Sequence, residues 1–346
     1  MGYPDYRYNY YFKGGGHIFS RKSLITILIT LVIISVLFAL NPNPPKSADH
    51  RSGRRGDGEI KGPKSKGPQL WDNGTGAPGK GGGGHIEIRV VKDEKSGQVE
   101  TLPWERDTDF LKAGNEHGTK VLMAAYRTVL PDPLPGEEYN VHLGARLLSG
   151  KIIEPGKIFS QNREIGPYDE SKGFKSGPTY AGTQLITTIG GGVCKISSTL
   201  YNVAVLSNLE IVQRYNHSMP VPYVPYGQDA TVAYGSRDFQ FKNNTSFPIL
   251  IWAEGIENML YIAFYGEEKP PDIKWHHDVT DIQKAPILYK KNPELSPGVE
   301  HRVVDGMDGA TVKSGVTVSN PDGTVEIKDM GTSYYRPMPS IIERND

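Results

Sequence analysis

Gly190-Gly191-Gly192-Val193-Cys194-Lys195-Ile196-Ser197-Ser198-Thr199-Leu200-Tyr201-Asn202 holds the one cysteine of the chain. Glycines ahead of it let the backbone take positive φ and come close to a ligand. Behind it, Ile196, Leu200, Val203 and Ala204 recur at i, i+4, i+7 and i+8. That is the apolar stripe of a helix packed on one face. Cys194 therefore falls at or just before a helix N-terminus. Unpaired N–H groups and the positive dipole end favour a thiolate there. Such a position brings a thiol from about 8.5 into the range of roughly 3.5–7.5. The competing reading is a buried, inert cysteine, since free Cys is among the most buried residue types.

Cysteine acyl transfer needs a thiolate, a base and donors for the oxyanion. Gly190, Gly191 and Gly192, with the helix start, offer backbone donors and a substrate-binding loop. His217 is the candidate base, because a loop histidine after the strand Leu209–Arg214 can return to the cysteine. Asp229 is either the third member of a triad or a turn former. Arg214 is the candidate clamp for a substrate carboxylate, by its fork geometry. Ser197 and Ser198 either cap the helix or hydrogen-bond the substrate. A single cysteine excludes an intrachain disulfide framework and a Cys-based zinc site. His276-His277 and Asp278 lack a well-spaced third ligand, so no metal and no cofactor is expected. Lys and Arg number 39 against 39 Asp and Glu, which gives no case for nucleic-acid binding.

Towards the N-terminus, Leu24–Leu40 reads LITILITLVIISVLFAL without a charge. It sits at the short end of a membrane span, about 17–25 residues. A signal peptide is the competitor, but no small-residue cleavage pattern follows. The expectation is an uncleaved single-pass anchor at 24–40 in the cell membrane. Arg21 and Lys22 abut the span, which places residues 1–23 in the cytoplasm and the rest outside. Residues 41–84 are rich in Gly, Pro and charge and nearly empty of aliphatics, so they are expected to be a disordered linker. His85–Val91 and Gln98–Leu102 suggest a hairpin turning at Lys95-Ser96-Gly97. Lys120–Val129 suits a short helix or a strand. Asn140 looks like the N-cap of a helix through Leu148. Phe239–Phe241, Ile249–Trp252 and Leu260–Phe264 are β runs.

A set of short motifs in one order then carries a resemblance. Pro155-Gly156-Lys157-Ile158-Phe159-Ser160-Gln161-Asn162 leads to Ile165-Gly166-Pro167, Gly173-Phe174 and Gly177-Pro178. The cysteine stretch follows, then His217-Ser218-Met219-Pro220-Val221 and Asp229-Ala230-Thr231-Val232. The block closes on Tyr234-Gly235, Asp238-Phe239, Asn243-Asn244 and Pro248-Ile249. Over about 140–266 this resembles the VanW family, named for an accessory protein of a glycopeptide-resistance cluster. Lys195 departs from it, standing where Gln is expected beside the cysteine, and is expected to shift the thiol. The resemblance implies a cell-wall protein acting on peptidoglycan stem peptides, alongside other wall-synthesis proteins. Members with this cysteine look like L,D-transpeptidases that form 3-3 crosslinks through a thioester, here on Cys194. The alternative is a non-catalytic peptidoglycan-binding or scaffold protein with a structural cysteine.

The expected fold class is α+β: the anchor, the linker, a Gly-rich VanW-like domain at 85–270 with its core at 140–266, and a small β-rich appendage at 271–346. Val299–Val304, Ala310–Val318 and Val325–Ser333 read as short strands there. Asp305-Gly306, Asp308-Gly309 and Tyr335-Arg336-Pro337 weakly resemble G5-type β modules.

Overall fold

The strand after the Asn243-Asn244 turn opens on three buried aliphatics, Ile249, Leu250 and Ile251, and it lies beside the central strand of the main sheet. In the computed structural model, which describes residues 90–134, 136–181 and 184–345, strands are numbered in chain order. An antiparallel sheet runs in the order β1 (Gly97–Gln98), β2 (Val121–Val129), β10 (Met259–Gly266), β9 (Ile249–Ile256), β3 (Lys151–Ile153). Successive side chains of a strand point to opposite faces. Leu260, Ile262 and Phe264 therefore face one side, with Ile249 and Ile251. Ala263 and Tyr265 face the other, with Leu250 and Trp252.

The first face carries the two helices that build the site. Helix α2 (Glu137–Leu148) contributes Val141, Ala145 and Leu148, and helix α4 (Cys194–Leu206) contributes Ile196, Leu200, Val203 and Ala204. The second face is covered by α1 (Thr108–His117), whose Phe110 stands edge-on to Trp252 at 5.4 Å. Asp107 caps α1, accepting from the N–H groups of Asp109 and Phe110, and left-handed Gly118 ends it.

A second sheet, β4 (Ile158–Ser160), β8 (Gln240–Lys242), β7 (Glu210–Gln213), closes the core beneath the short helix α3 (Gln161–Ile165). Phe159, Phe239 and Phe241 are buried there, each stabilising the fold by about 1.5–3 kcal/mol. A hairpin of β5 (Ser176–Ala181) and β6 (Gln184–Ile189) leads into the glycine loop. The C-terminal strands make two sheets. One is β11 (Asp272–Gln283), β14 (Gly309–Ser319), β15 (Val325–Tyr335). The other is β12 (Ile287–Lys291), β16 (Ser340–Arg344), β13 (Glu300–Val304), with β12 and β16 parallel. Ile273, Val316 and Val318 enter the same core as the helices. The described residues form one compact unit.

Several expectations are corrected. The fold is α+β, but the transmembrane helix is not part of it. Among the described residues no helix is long and apolar enough to cross a membrane. The expected anchor at 24–40, the tail at 1–23 and the linker at 41–84 lie outside the described residues, so membrane attachment and sidedness drop out of the description. Asn140 is not an N-cap: α2 starts earlier, behind left-handed Gly136. Helix α4 is buried all round from Lys195 to Leu206 rather than along one stripe. Lys120–Val129 resolves as strand, and the hairpin expected at 95–97 gives way to Gly97 pairing with Arg127.

Candidate functional site around Cys194

The glycine loop is pressed between α2 and the β5–β6 hairpin. A Cβ at Gly191 would stand 2.3 Å from the Gly177 carbonyl and 2.5 Å from the Pro178 oxygen. Gly192 has φ 98°, and a Cβ there would meet the Glu137 carbonyl oxygen at 2.9 Å. Asn140, buried within α2, pins the loop by donating to the Gly191 and Lys175 carbonyls, both at 2.8 Å. It also accepts from the Lys175 N–H at 2.9 Å. The N–H groups of Gly190, Gly191 and Val193 bond to Lys175, Thr188 and Gly190 carbonyls. Among the described residues, those of Gly192 and Cys194 make no hydrogen bond. The loop thus presents two donors at the start of α4, where the helix dipole is positive.

Cys194 is the first residue of α4 and is partly exposed. Its sulfur lies 3.3 Å from Thr231 Oγ1 and 3.6 Å from the Val232 carbonyl oxygen. Burial pushes the thiol up, but His217, by hydrogen bonding and charge, and then Thr231 and Val232 bring it below its ordinary value. Among the described residues the sulfur's hydrogen bonds of ordinary geometry go to Thr231 and Val232. Burial likewise works against the His217 cation, yet Asp229 and the thiolate raise it to about 9. Asp229 takes both the His217 backbone N–H and the ring Nδ1–H on Oδ2, each at 2.6 Å. Its carboxyl is held low against its burial by His217 first and by Arg214. Asp229 thus stands as a buried anion behind the His217 ring, beside a thiol lowered from its ordinary value.

Three sequence assignments change. Arg214 does not present its fork to a substrate. Its Nε donates to the Asp229 carbonyl at 2.7 Å, one Nη to the Asp229 carboxylate at 3.0 Å and the other to Ser333 at 2.8 Å. Ser197 and Ser198 neither cap α4 nor face a substrate. Both are buried; Ser197 donates to the Ala230 carbonyl at 2.7 Å, and Ser198 accepts from the Ala230 N–H at 3.0 Å. They lash α4 to the segment that carries Asp229. Lys195 points away from the thiol and pairs with Glu138 at 2.7 Å. Consecutive side chains on a helix diverge by roughly 100°, and that takes the ammonium out of the site.

Sequence reasoning missed Thr231 as a thiol partner, although it sits only two residues after Asp229. It also missed Tyr168 and Tyr223. Both phenols are raised, by burial first and also by the Cys194 charge. His277 is lowered to about 4, mainly by burial. An open cleft of about 600 Å³ between β7 and β15 has Arg214 in its wall but neither Cys194 nor His217.

Residues 136–265 match the family model described as VanW like protein. This segment is a VanW-like domain. Within this span lie Cys194, His217 and Asp229. The VanW domain is similar to the uncharacterized protein YoaR of Bacillus subtilis (strain 168), with 37% identity over 146 residues, 42% of this chain and 48% of YoaR. It is also similar to the vancomycin B-type resistance protein VanW of Enterococcus faecalis (strain ATCC 700802 / V583), with 31% identity over 137 residues, 38% of this chain and 50% of that protein. The chain spans about half the length of these curated relatives. The C-terminus shows a weak likeness to the G5 domain of IgA1 protease, at 20% identity and TM-score 0.15, covering 23% of this chain and 95% of that one.

Proposed function

We propose that the VanW domain is a cysteine acyltransferase acting on peptidoglycan stem peptides, an L,D-transpeptidase with Cys194 as nucleophile. The observation that carries the reading is the convergence of the lowered thiol, the raised imidazole and two uncommitted N–H groups at one helix start. Peptidoglycan as substrate rests on the family resemblance, and the name of the Enterococcus relative ties that protein to vancomycin resistance.

The Cys194 thiolate attacks the donor stem's scissile carbonyl, forming a C–S bond. The Gly192 and Cys194 N–H groups receive the developing oxyanion. The C–N bond to the terminal D-residue breaks, and the His217 imidazolium gives its proton to the leaving amine. An amine of a neighbouring stem then attacks the thioester and yields its proton to His217. The amide forms and the thiolate returns. Water in place of the amine makes the same protein a carboxypeptidase.

The second reading, a non-catalytic wall-binding protein, is favoured by one observation: the thiol's own hydrogen bonds go to Thr231 and Val232. Incubation of the full-length chain with purified disaccharide tetrapeptide, read by mass spectrometry beside Cys194→Ala, separates the two. A crosslinked dimer one D-alanine short of two monomers, absent in the variant, is the expected result. Tripeptide alone would mean hydrolysis by the same cysteine. Unchanged substrate with folded protein would leave the binding reading.

A further inference from the structure

The segment that carries Asp229 is stitched to the C-terminal strands at every residue from 226 to 229. Tyr226 Oη donates to the Asp308 carbonyl at 2.5 Å. The Gly227 N–H donates to Tyr335 Oη at 2.9 Å. Gln228 Nε2 stands 2.9 Å from His277 Nε2, whose Nδ1 is 3.0 Å from Ser314 Oγ. Tyr335 Oη donates to Asp229 Oδ1. The segment carrying His217 is held in the same way. The Arg336 N–H donates to the Ser218 carbonyl at 2.7 Å, and Asn216 Nδ2 donates to the Tyr334 carbonyl at 3.1 Å.

We propose that the C-terminal β module is a working part of the cysteine site, with Tyr335 as a positioning residue that fixes the Asp229 carboxylate facing His217. The inference rests on the acyltransferase reading and adds to it a residue far away in sequence. A carboxylate has two oxygens and is free to rotate unless both are engaged. Oδ2 is taken by two N–H donors of His217. Oδ1 is taken by Tyr335 and Arg214, and Arg214 is itself held by Ser333 of the same module. Each lone-pair direction is matched by a donor. Tyr335 is buried and its hydroxyl is fully used, accepting from Gly227 while donating to Asp229. Filling space against Tyr226, whose ring lies 5.5 Å away, requires only the ring.

The test is Tyr335→Phe in the full-length chain, with Ser333→Ala as a milder variant. Tyr334→Phe, at a residue 68% exposed, is the control. Two readouts need no substrate: the pH titration of the His217 ring by NMR, assigned with His217→Gln, and the rate of Cys194 alkylation by iodoacetamide against pH. In Tyr335→Phe the His217 midpoint is expected to leave about 9 by roughly half a pH unit or more. Alkylation near neutral pH is expected to slow about 5- to 10-fold, and Tyr334→Phe to match the wild type. Folded Tyr335→Phe with wild-type titration and alkylation overturns the proposal. If Tyr335→Phe does not fold, Ser333→Ala decides by the same readouts, with a smaller change expected and no change overturning it. A moved His217 titration in a chain that makes no crosslink would fail the transpeptidase reading and leave this inference standing. Undiminished crosslinking by folded Tyr335→Phe would do the reverse.

Discussion

Two buried ion pairs flank the first turn of α4, one beside Cys194 and one on Lys195, its neighbour. Asp229–His217 is open on one side: the His217 side chain keeps 18% exposure and the thiol it faces is partly exposed. Glu138–Lys195 is sealed, with side-chain exposures of 0% and 1%. Lys195 donates to Glu138 at 2.7 Å and to the Asn258 carbonyl at 2.8 Å. Burial lowers the Lys195 ammonium, and Glu138 opposes that. Glu137, next to Glu138, is pushed up to about 7 by burial and then by Glu138's charge. Both pairs hold charge in the interior, and their chemistry differs through access. A sealed pair locks α2, α4 and the β9–β10 turn together. An open pair, beside a partly exposed thiol, stays in reach of solvent.

The sharpest way to break this contrast is to remove one half of the sealed pair. Lys195→Met leaves Glu138 uncompensated and is expected to cost about 3–5 kcal/mol of stability, read by denaturant unfolding. Lys195→Met with Glu138→Gln is expected to recover most of it, since a buried pair replaced by neutral groups is often close to neutral. Thiol reactivity in the double variant should match the wild type; a changed alkylation profile would show that the sealed pair also serves the thiol.

Asp229→Asn tests the open pair and is expected to lower alkylation at neutral pH by roughly 10-fold, about 1.4 kcal/mol. It also weakens the hold on buried Arg214, so the melting temperature is measured alongside. The pH profile sharpens the point. A raised His217 contributes stability in full below its unfolded value near 6.5 and loses it as pH rises through about 9. A lowered Cys194 contributes above its unfolded value of about 8.5 and loses that as pH falls through the lower folded value. The ion pair therefore spans neutral pH, and kcat/KM for crosslinking is expected to fall on the alkaline side near 9. A rate that climbs steadily past 9 would contradict the assignment of the imidazolium as acid. The smallest effect is expected for Ser197→Ala, about 1 kcal/mol of stability from the lost bond to Ala230, with alkylation unchanged.

The contrast also shows what a sequence makes legible. Glycines before a cysteine and aliphatics at helical spacing place Cys194 at the start of α4, because both signals are local. His217 and Asp229 are recoverable as polar residues in turns next to strands. The roles of Arg214, Ser197 and Ser198 are not, since each side chain has the right chemistry for a substrate and is instead consumed by backbone and carboxylate partners across the core. Lys195 misleads for the same reason: adjacency in sequence is divergence on a helix. Thr231 and Tyr335 are known only once the strands are paired, and nothing local at 335 announces a partner at 229.

That last separation has a consequence for biogenesis. Ser333 and Tyr335 complete the hold on Arg214 and Asp229, and they are made well after Cys194. At translation rates of about 5–20 residues per second, Cys194 leaves the synthesis centre roughly 7–28 s before Tyr335 does. Throughout that interval the growing chain carries its thiol without the donors that fix Asp229, so the hold on His217 is completed only once residue 335 has been added.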